Sequence, residues 1–226
     1  NKKVGFAIRS MRKLTLFIAT SLDGYIARTN GEIDWLFTDQ DYGYQKFYES
    51  VSTLLVGRKT YELSLTFPEY PYAGKEVFVF TRNPRLKPDS RVQLVEKNII
   101  QFTRELKKKR GKGIWLVGGG QIVHELHAEG LIDEYRIFIH PFTIGNGIPL
   151  FQKTHLSREL KTKRMKKFSS GLIEIQLTKK SNYIKNLVLF FSYRFYLKLP
   201  IKLQTMARSL LKNKLGLAKN MPLNSI

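Results

Sequence analysis

Gly113-Ile114-Trp115-Leu116-Val117-Gly118-Gly119-Gly120-Gln121-Ile122-Val123 is the stretch whose reading decides the fold. An apolar run of strand length stops at three consecutive glycines, and a helical pattern starts at once with Gln121, Ile122, Val123, His124, Glu125 and Leu126. Strand, bare backbone and helix in succession bring main-chain N–H groups and a helix N-terminus up to an anion. The stretch therefore predicts a phosphate-binding turn, and with it a nucleotide cofactor. A tight turn that only packs helix on strand is the structural alternative. One glycine would serve that purpose, and three favour the phosphate.

Working outward, Ile99 to Arg110 reads as a helix that ends in the basic run Lys107–Arg110 before Gly111. Cations in a last turn suit the helix dipole, so this run predicts a solvated C-terminus rather than a binding patch. On the other side the post-glycine helix ends near Gly130, and Glu134-Tyr135-Arg136-Ile137-Phe138-Ile139-His140 is a strand leading into Pro141 to Phe151. Two further strands are expected at 160–168 and 172–178, joined as an antiparallel hairpin by the turn Ser169-Ser170-Gly171.

The first half repeats the alternation. Arg12 to Ala19 predicts a largely buried first strand, followed by a loop, Ser21 to Ala27, with a turn at Asp23-Gly24. Tyr44, Phe47, Tyr48 and Val51 recur at helical spacing from Asp41 onward. Thr53-Leu54-Leu55-Val56 is a short strand ended by Gly57-Arg58-Lys59-Thr60, a second strand–glycine–helix junction. Glu76 to Thr81 and Val92 to Val95 are the third and fourth strands. Strands alternating with helices and closed by a hairpin define a three-layer α/β fold, its central sheet mostly parallel with an antiparallel C-terminal edge.

The net charge of +21 raises the question of nucleic acid, and its distribution answers in part. Residues 1–10 and 181–226 contain no acid and supply +11 of it, while all 18 acidic residues lie in 11–180. The chain accordingly divides into an appended leader (1–10), one domain (11–180) and a basic tail (181–226). The tail, with Leu187 to Phe191 apolar and Met206 to Leu217 a basic amphipathic pattern, reads as an extension outside the fold. Its alternative is a nucleic-acid- or anionic-membrane-binding segment on a nucleotide-binding scaffold without turnover. Zero cysteines exclude a disulfide scaffold, a thiolate metal site and a cysteine nucleophile. The start shows no signal-peptide pattern, and no apolar run reaches the roughly 18 residues of a spanning helix.

Taken together, these junctions resemble one family. From Met11 to about Lys180 the chain resembles the dihydrofolate-reductase-like superfamily. Within it the likeness is to the reductase domain of bacterial riboflavin-biosynthesis deaminase–reductase and its small stand-alone relatives. Carrying the resemblance are Ser21-Leu22-Asp23-Gly24-Tyr25-Ile26-Ala27, Gly57-Arg58-Lys59-Thr60, Val117-Gly118-Gly119-Gly120, Asp133-Glu134, and Gly145-Asn146-Gly147-Ile148-Pro149-Leu150-Phe151. The resemblance implies NADPH binding and hydride transfer to a small heterocyclic (pterin- or pyrimidine-like) or carbonyl-type acceptor, by a cytoplasmic homodimer.

Each match then has an expected role. Gly118, Gly119 and Gly120 let the backbone approach the cofactor pyrophosphate, and the helix start at Gln121 and Ile122 supplies free N–H groups. Gly57 opens the second junction, where Arg58 and Thr60 can meet phosphate. Thr81 and Arg82 lie just past the third strand, with Arg82 the second candidate for the adenosine 2′-phosphate. By resemblance alone, Ala19 and Ile26 match positions whose backbone holds the nicotinamide carboxamide. For proton delivery Asp41, with Asp39 a close rival, matches the carboxylate at the first long helix, and Asp23 is the other acid near the nicotinamide. Helix capping and an Asp-Gly turn account for the same residues without chemistry. Val117 stands where the riboflavin branch commonly has an acid, which argues against a ribosylamino-pyrimidine substrate. His124 and His127, with His140 and His155 scattered, make no metal spacing.

Overall fold

A computed structural model of the chain describes residues 11–83, 86–87, 89–96, 98–152 and 157–180. The expectations for 1–10 and 181–226 lie outside the described residues. In chain order the elements are β1 (Leu14–Thr20), β2 (Tyr25–Arg28), α1 (Tyr44–Ser50), β3 (Val51–Gly57), α2 (Arg58–Ser64), β4 (Glu76–Phe80) and β5 (Val92–Val95). There follow α3 (Ile99–Lys108), β6 (Gly113–Gly118), α4 (Gly120–Ala128), β7 (Glu134–Ile139), β8 (Gly147–Pro149), β9 (Leu160–Lys167) and β10 (Ile173–Lys179).

Eight strands form one sheet in the order β5-β4-β3-β6-β1-β7-β10-β9. All neighbours from β5 to β7 are parallel, and β10 is antiparallel to both β7 and β9. The mostly parallel sheet with an antiparallel hairpin at one edge is the architecture expected from the alternation. Its near-continuous apolar strands follow from burial on both faces. Leu14, Leu16, Ile114 and Leu116 point to the face covered by α3 and α4, where Leu106, Val123 and Leu126 meet them. Leu54, Val56 and Trp115 point to the other face, with Phe47 of α1 and Tyr61 of α2. Phe17 stacks on Phe47 at a centroid distance of 4.3 Å. Among the described residues, no helix is long and apolar enough to cross a membrane.

Three local expectations need correction. Val51 belongs to β3 rather than to α1, because the β-branched residue abuts the helix end and is buried in the strand. Tyr25–Arg28, which begins inside the stretch read as a loop (Ser21 to Ala27), and Gly147–Pro149, to which the sequence pattern assigns no element, pair with each other as a small antiparallel sheet. Lys107 is not solvated: it is 4% exposed and donates to Leu131 O and to the Asp133 carboxylate. Lys108, Lys109 and Arg110 are exposed, as a solvated helix end requires.

Candidate functional site

The carboxyl ends of β1, β3, β6 and β7 gather the glycine junctions. Gly57, ending β3, and Gly119, after β6, lie in backbone contact. A Cβ on Gly57 would stand 3.2 Å from Gly118 O, and one on Gly119 would stand 3.3 Å from Gly57 Cα and 3.5 Å from Thr60 Oγ1. Gly118 and Gly119 have φ of 147° and 99°, which side chains rarely adopt. The glycines thus let two strand–helix junctions close on one another, and α4 begins directly at Gly120. No acid occupies its first turn, so the N–H groups of the first turn and the dipole stay available to an anion.

The small sheet borders the same place. A Cβ on Gly120 would lie 3.2 Å from Pro149 O of β8. Asp23 fastens this region: it accepts from Ser21 Oγ at 2.6 Å, from Gly145 N at 2.7 Å and from Ile144 N. The Ser21 hydroxyl, followed by those two backbone donors, holds the Asp23 carboxyl below its usual range. An acid so held stays ionised and orders the loop.

Asp41 accepts from Gly43 N at 2.9 Å and Gln45 N at 2.8 Å, so it ties down the start of α1. Asp39 accepts from the Tyr42 hydroxyl, which also lies 2.8 Å from Ser170 Oγ. The Tyr42 bond chiefly lowers the Asp39 pKa. Tyr42 itself has φ of 51°, and among the described residues it is the one non-glycine with positive φ. Its ring packs edge-on against Phe168, beside the cluster that takes in Phe37 and Ala19.

The remaining expected residues divide by freedom. Arg58 is held by Glu62 at 2.7 Å, one turn on in α2. The Arg82 side chain is 84% exposed and, among the described residues, reaches Glu125 at 3.6 Å. Thr81 is buried and accepts from Asn83 N. Gln121 is exposed, and Ile122 packs into the core against the Gly57 junction. Ala19 pairs with Phe138 across β1 and β7, and Ile26 is half-buried against the core.

His140, scattered in the sequence, sits at this end. Its N–H donates to Thr20 O at 2.8 Å, one residue past Ala19. Nδ1 lies 3.2 Å from Phe138 O. A carbonyl can only accept, so Nδ1 carries the proton and Nε2 of the neutral ring is an acceptor. Nε2 is buried and has no partner among the described residues, and the same holds for the Nε1 donor of Trp35, whose ring stands edge-on at 5.2 Å. Burial pushes the His140 pKa down, while the Phe138 and Thr20 carbonyls and Asp39 pull it back. A His-Pro pair at a strand end carries no signal for this, because Trp35 and Phe37 reach it from far upstream. Among the described residues no group of acids and histidines is arranged to hold a metal.

The fold and its paired glycine junctions define a domain of the dihydrofolate-reductase-like type. Residues 12–173 match the model of the RibD C-terminal domain, and the chain belongs to that family. It is 39% identical over 165 residues to the uncharacterized protein YwjB of Bacillus subtilis, covering 71% of this chain and 95% of that one. It is 35% identical over 176 residues to YyaP of the same organism, covering 73% and 93%. A crystal structure of a Shewanella sp. PV-4 protein, provisionally assigned to riboflavin biosynthesis, superposes with a TM-score of 0.67 at 30% identity, over 75% of this chain and 99% of that one. A deaminase/5-amino-6-(5-phosphoribosylamino)uracil reductase from Thermotoga maritima shares the fold, with a TM-score of 0.59 at 17% identity. That match covers 75% of this chain and 57% of that one.

Proposed function

We propose that the chain is an NADPH-dependent reductase of a small heterocyclic or carbonyl-type acceptor. The observation that carries this reading is the backbone contact of Gly57 with Gly119 at the carboxyl edge of the sheet, directly under the N-terminus of α4. Ligands in open α/β sheets bind at those ends. Main-chain N–H groups at Gln121 and Ile122 would take the pyrophosphate, with Thr60 beside them. Arg58 and Arg82 would take the 2′-phosphate, Arg82 being free to swing and Arg58 exchanging Glu62 for the ligand. When bound, NADPH supplies the hydride.

The acceptor would lie beside Ala19, between the β1 end and the wall built by Phe37, Tyr42 and His140. Behind that wall His140 Nε2 and Trp35 Nε1 are one acceptor and one donor, both buried and without a partner among the described residues. Asp41 and Asp23 are part of the reading as the carboxylates that fix the two walls through backbone N–H groups. A proton for the reduced bond would reach the acceptor by the Asp39–Tyr42 pair. The homodimer belongs to the same proposal.

Titration with NADPH and NADH tests it. Arg58→Ala combined with Arg82→Ala should weaken NADPH by about tenfold or more, as expected for losing charge-assisted phosphate contacts, and leave NADH little changed. Equal weakening of both would remove the 2′-phosphate assignment. No thermal shift or fluorescence change with either nucleotide would overturn the reductase.

A further inference from the structure

At the opposite end of the sheet, where β1, β3, β6 and β7 begin, lies a cavity of about 590 Å³. Its lining includes Arg12, Lys13, Lys108, Lys109, Arg110 and Lys112, with Arg136 at the side and Glu134 as the single acid. Arg136 is spoken for by Glu174 at 2.6 Å, and Glu134 by Lys163 at 3.6 Å. The side chains of Lys13, Lys108, Lys109 and Arg110 have no partner among the described residues, and Lys112 donates only to the Glu49 carbonyl at 3.0 Å.

Arg12 is the telling group, because it is 7% exposed and yet faces no carboxylate directly among the described residues. Nε donates to Lys112 O at 2.6 Å, and Nη2 donates to Thr53 Oγ1 at 2.7 Å and Ser52 Oγ at 3.0 Å. The nearest acid, Glu76, is reached only through the Thr53 hydroxyl, which donates to it at 2.9 Å. Nη1 has no protein acceptor among the described residues. Buried charge is ordinarily paired with opposite charge, because desolvation is otherwise uncompensated. Burial indeed lowers the Arg12 pKa, and Glu76 restores only part of it. The loop that carries the other cations is wrapped tightly on this guanidinium: a Cβ at Gly111 would lie 3.0 Å from Arg12 Cζ.

We propose that this cavity binds a compact, multiply charged oxyanion of the diphosphate class, with Arg12 at its base and Lys109, Arg110 and Lys112 at its rim. Nη1 of Arg12 would donate to a phosphate oxygen, the Arg110 guanidinium would match the oxygens in its plane, and the rim ammonium groups would contribute as point charges. A single recess with a buried arginine at its base suits a small anion better than a polymer backbone, which calls for a track of exposed cations. The site is separate from the glycine junctions and does not rest on the reductase reading.

Calorimetry on the full chain at fixed ionic strength tests the proposal, with inorganic pyrophosphate, ADP and sulfate as probes. The Lys109→Gln/Arg110→Gln variant touches only exposed side chains and should keep its melting temperature without ligand. It should bind pyrophosphate about tenfold more weakly, on the scale of two charge-assisted contacts. Arg58→Ala/Arg82→Ala, at the other end of the sheet, should leave that component unchanged, which separates it from pyrophosphate at the glycine turn. ADP binding at the rim-dependent site would make a nucleotide the source of the diphosphate. Pyrophosphate binding alone would point to the free ion. The proposal is overturned if the rim variant binds pyrophosphate as well as the parent, or if pyrophosphate binds no better than sulfate. It is equally overturned if only a polynucleotide binds, with steep salt dependence.

Discussion

Gly119 combines a positive φ with a close neighbour that is backbone rather than a flexible side chain. Its φ is 99°, and a Cβ there would meet Gly57 Cα at 3.3 Å. Gly145 has φ of 77° but nothing within 4 Å. Gly119→Ala should therefore cost about 1–3 kcal/mol of stability, and Gly145→Ala about 1 kcal/mol, both read from urea unfolding. Only the first should also abolish nucleotide binding. At His140 the expectation concerns pH. Burial holds its folded pKa, like that of His127, below the ordinary 6.5. As pH falls through that value the unfolded chain takes up protons that the folded chain refuses. The stability from keeping these rings neutral is thus complete above about 6.5 and is lost as pH drops towards the folded values. Urea midpoints should fall between pH 7 and pH 5, and His140→Asn should flatten part of that fall. A slope unchanged in the variant would show that His140 is not kept neutral. The glycines are legible in the sequence because a simple turn needs one of them, and three in a row at a strand end mark a close approach of backbone. His140 is not, since its significance lies in Trp35 and Phe37, which only folding brings to it.

Among the elements, α3 is fastened by a residue that its sequence pattern places in water. Lys107 donates to Leu131 O and Asp133, while Asp133 also accepts from Leu14 N at 2.9 Å and Lys179 Nζ at 2.7 Å. Helix, the approach to β7, the start of β1 and the end of β10 meet at one carboxylate. Burial lowers the Lys107 pKa, and Asp133 resists that shift. For Asp133 burial is the largest influence and acts upward, but the donors outweigh it and hold the carboxyl low. Lys107→Met should cost about 2 kcal/mol because it takes the buried ammonium from Asp133 and leaves that carboxylate only Leu14 N and the more exposed Lys179, while Lys108→Met should stay within about 0.5 kcal/mol. Equal effects in urea unfolding would refute the distinction. The strands β3, β4, β6 and β7 are legible as apolar runs, because both faces of each are covered. Lys107 looks like any cation in a last helical turn, and only the position of Asp133 turns it inward. β2 and β8 are not legible as strands because three- and four-residue strands exist only through pairing with each other.

Among the described residues the two sheet ends are built differently. The carboxyl end is built from close-packed glycines under a helix start, and the amino end gathers cations around Arg12. Much of that division is readable from strand–glycine–helix junctions alone. The amino-end cavity is not, because its cations come from segments that read separately as a strand start and a helix end. The strand order has a further consequence, for the time course of synthesis. β6 lies between β1 and β3, and Leu14 pairs with Ile114 on one side while Leu16 pairs with Tyr135 on the other. A nascent chain arrested before Gly113 therefore has β1 with neither neighbour, and only β3, β4 and β5 can associate. Such distant pairings slow folding and leave apolar strands unpaired meanwhile. Arrested chains ending at about residue 110 should be protease-sensitive throughout β1, and protection should appear only once β6 and β7 have left the ribosome. Early protection of β1 would mean that it finds a provisional partner. Otherwise the glycine turn of β6 is completed in the same late step that gives the first strand its place, so the close-packed glycine junction and the parallel core of the sheet form together.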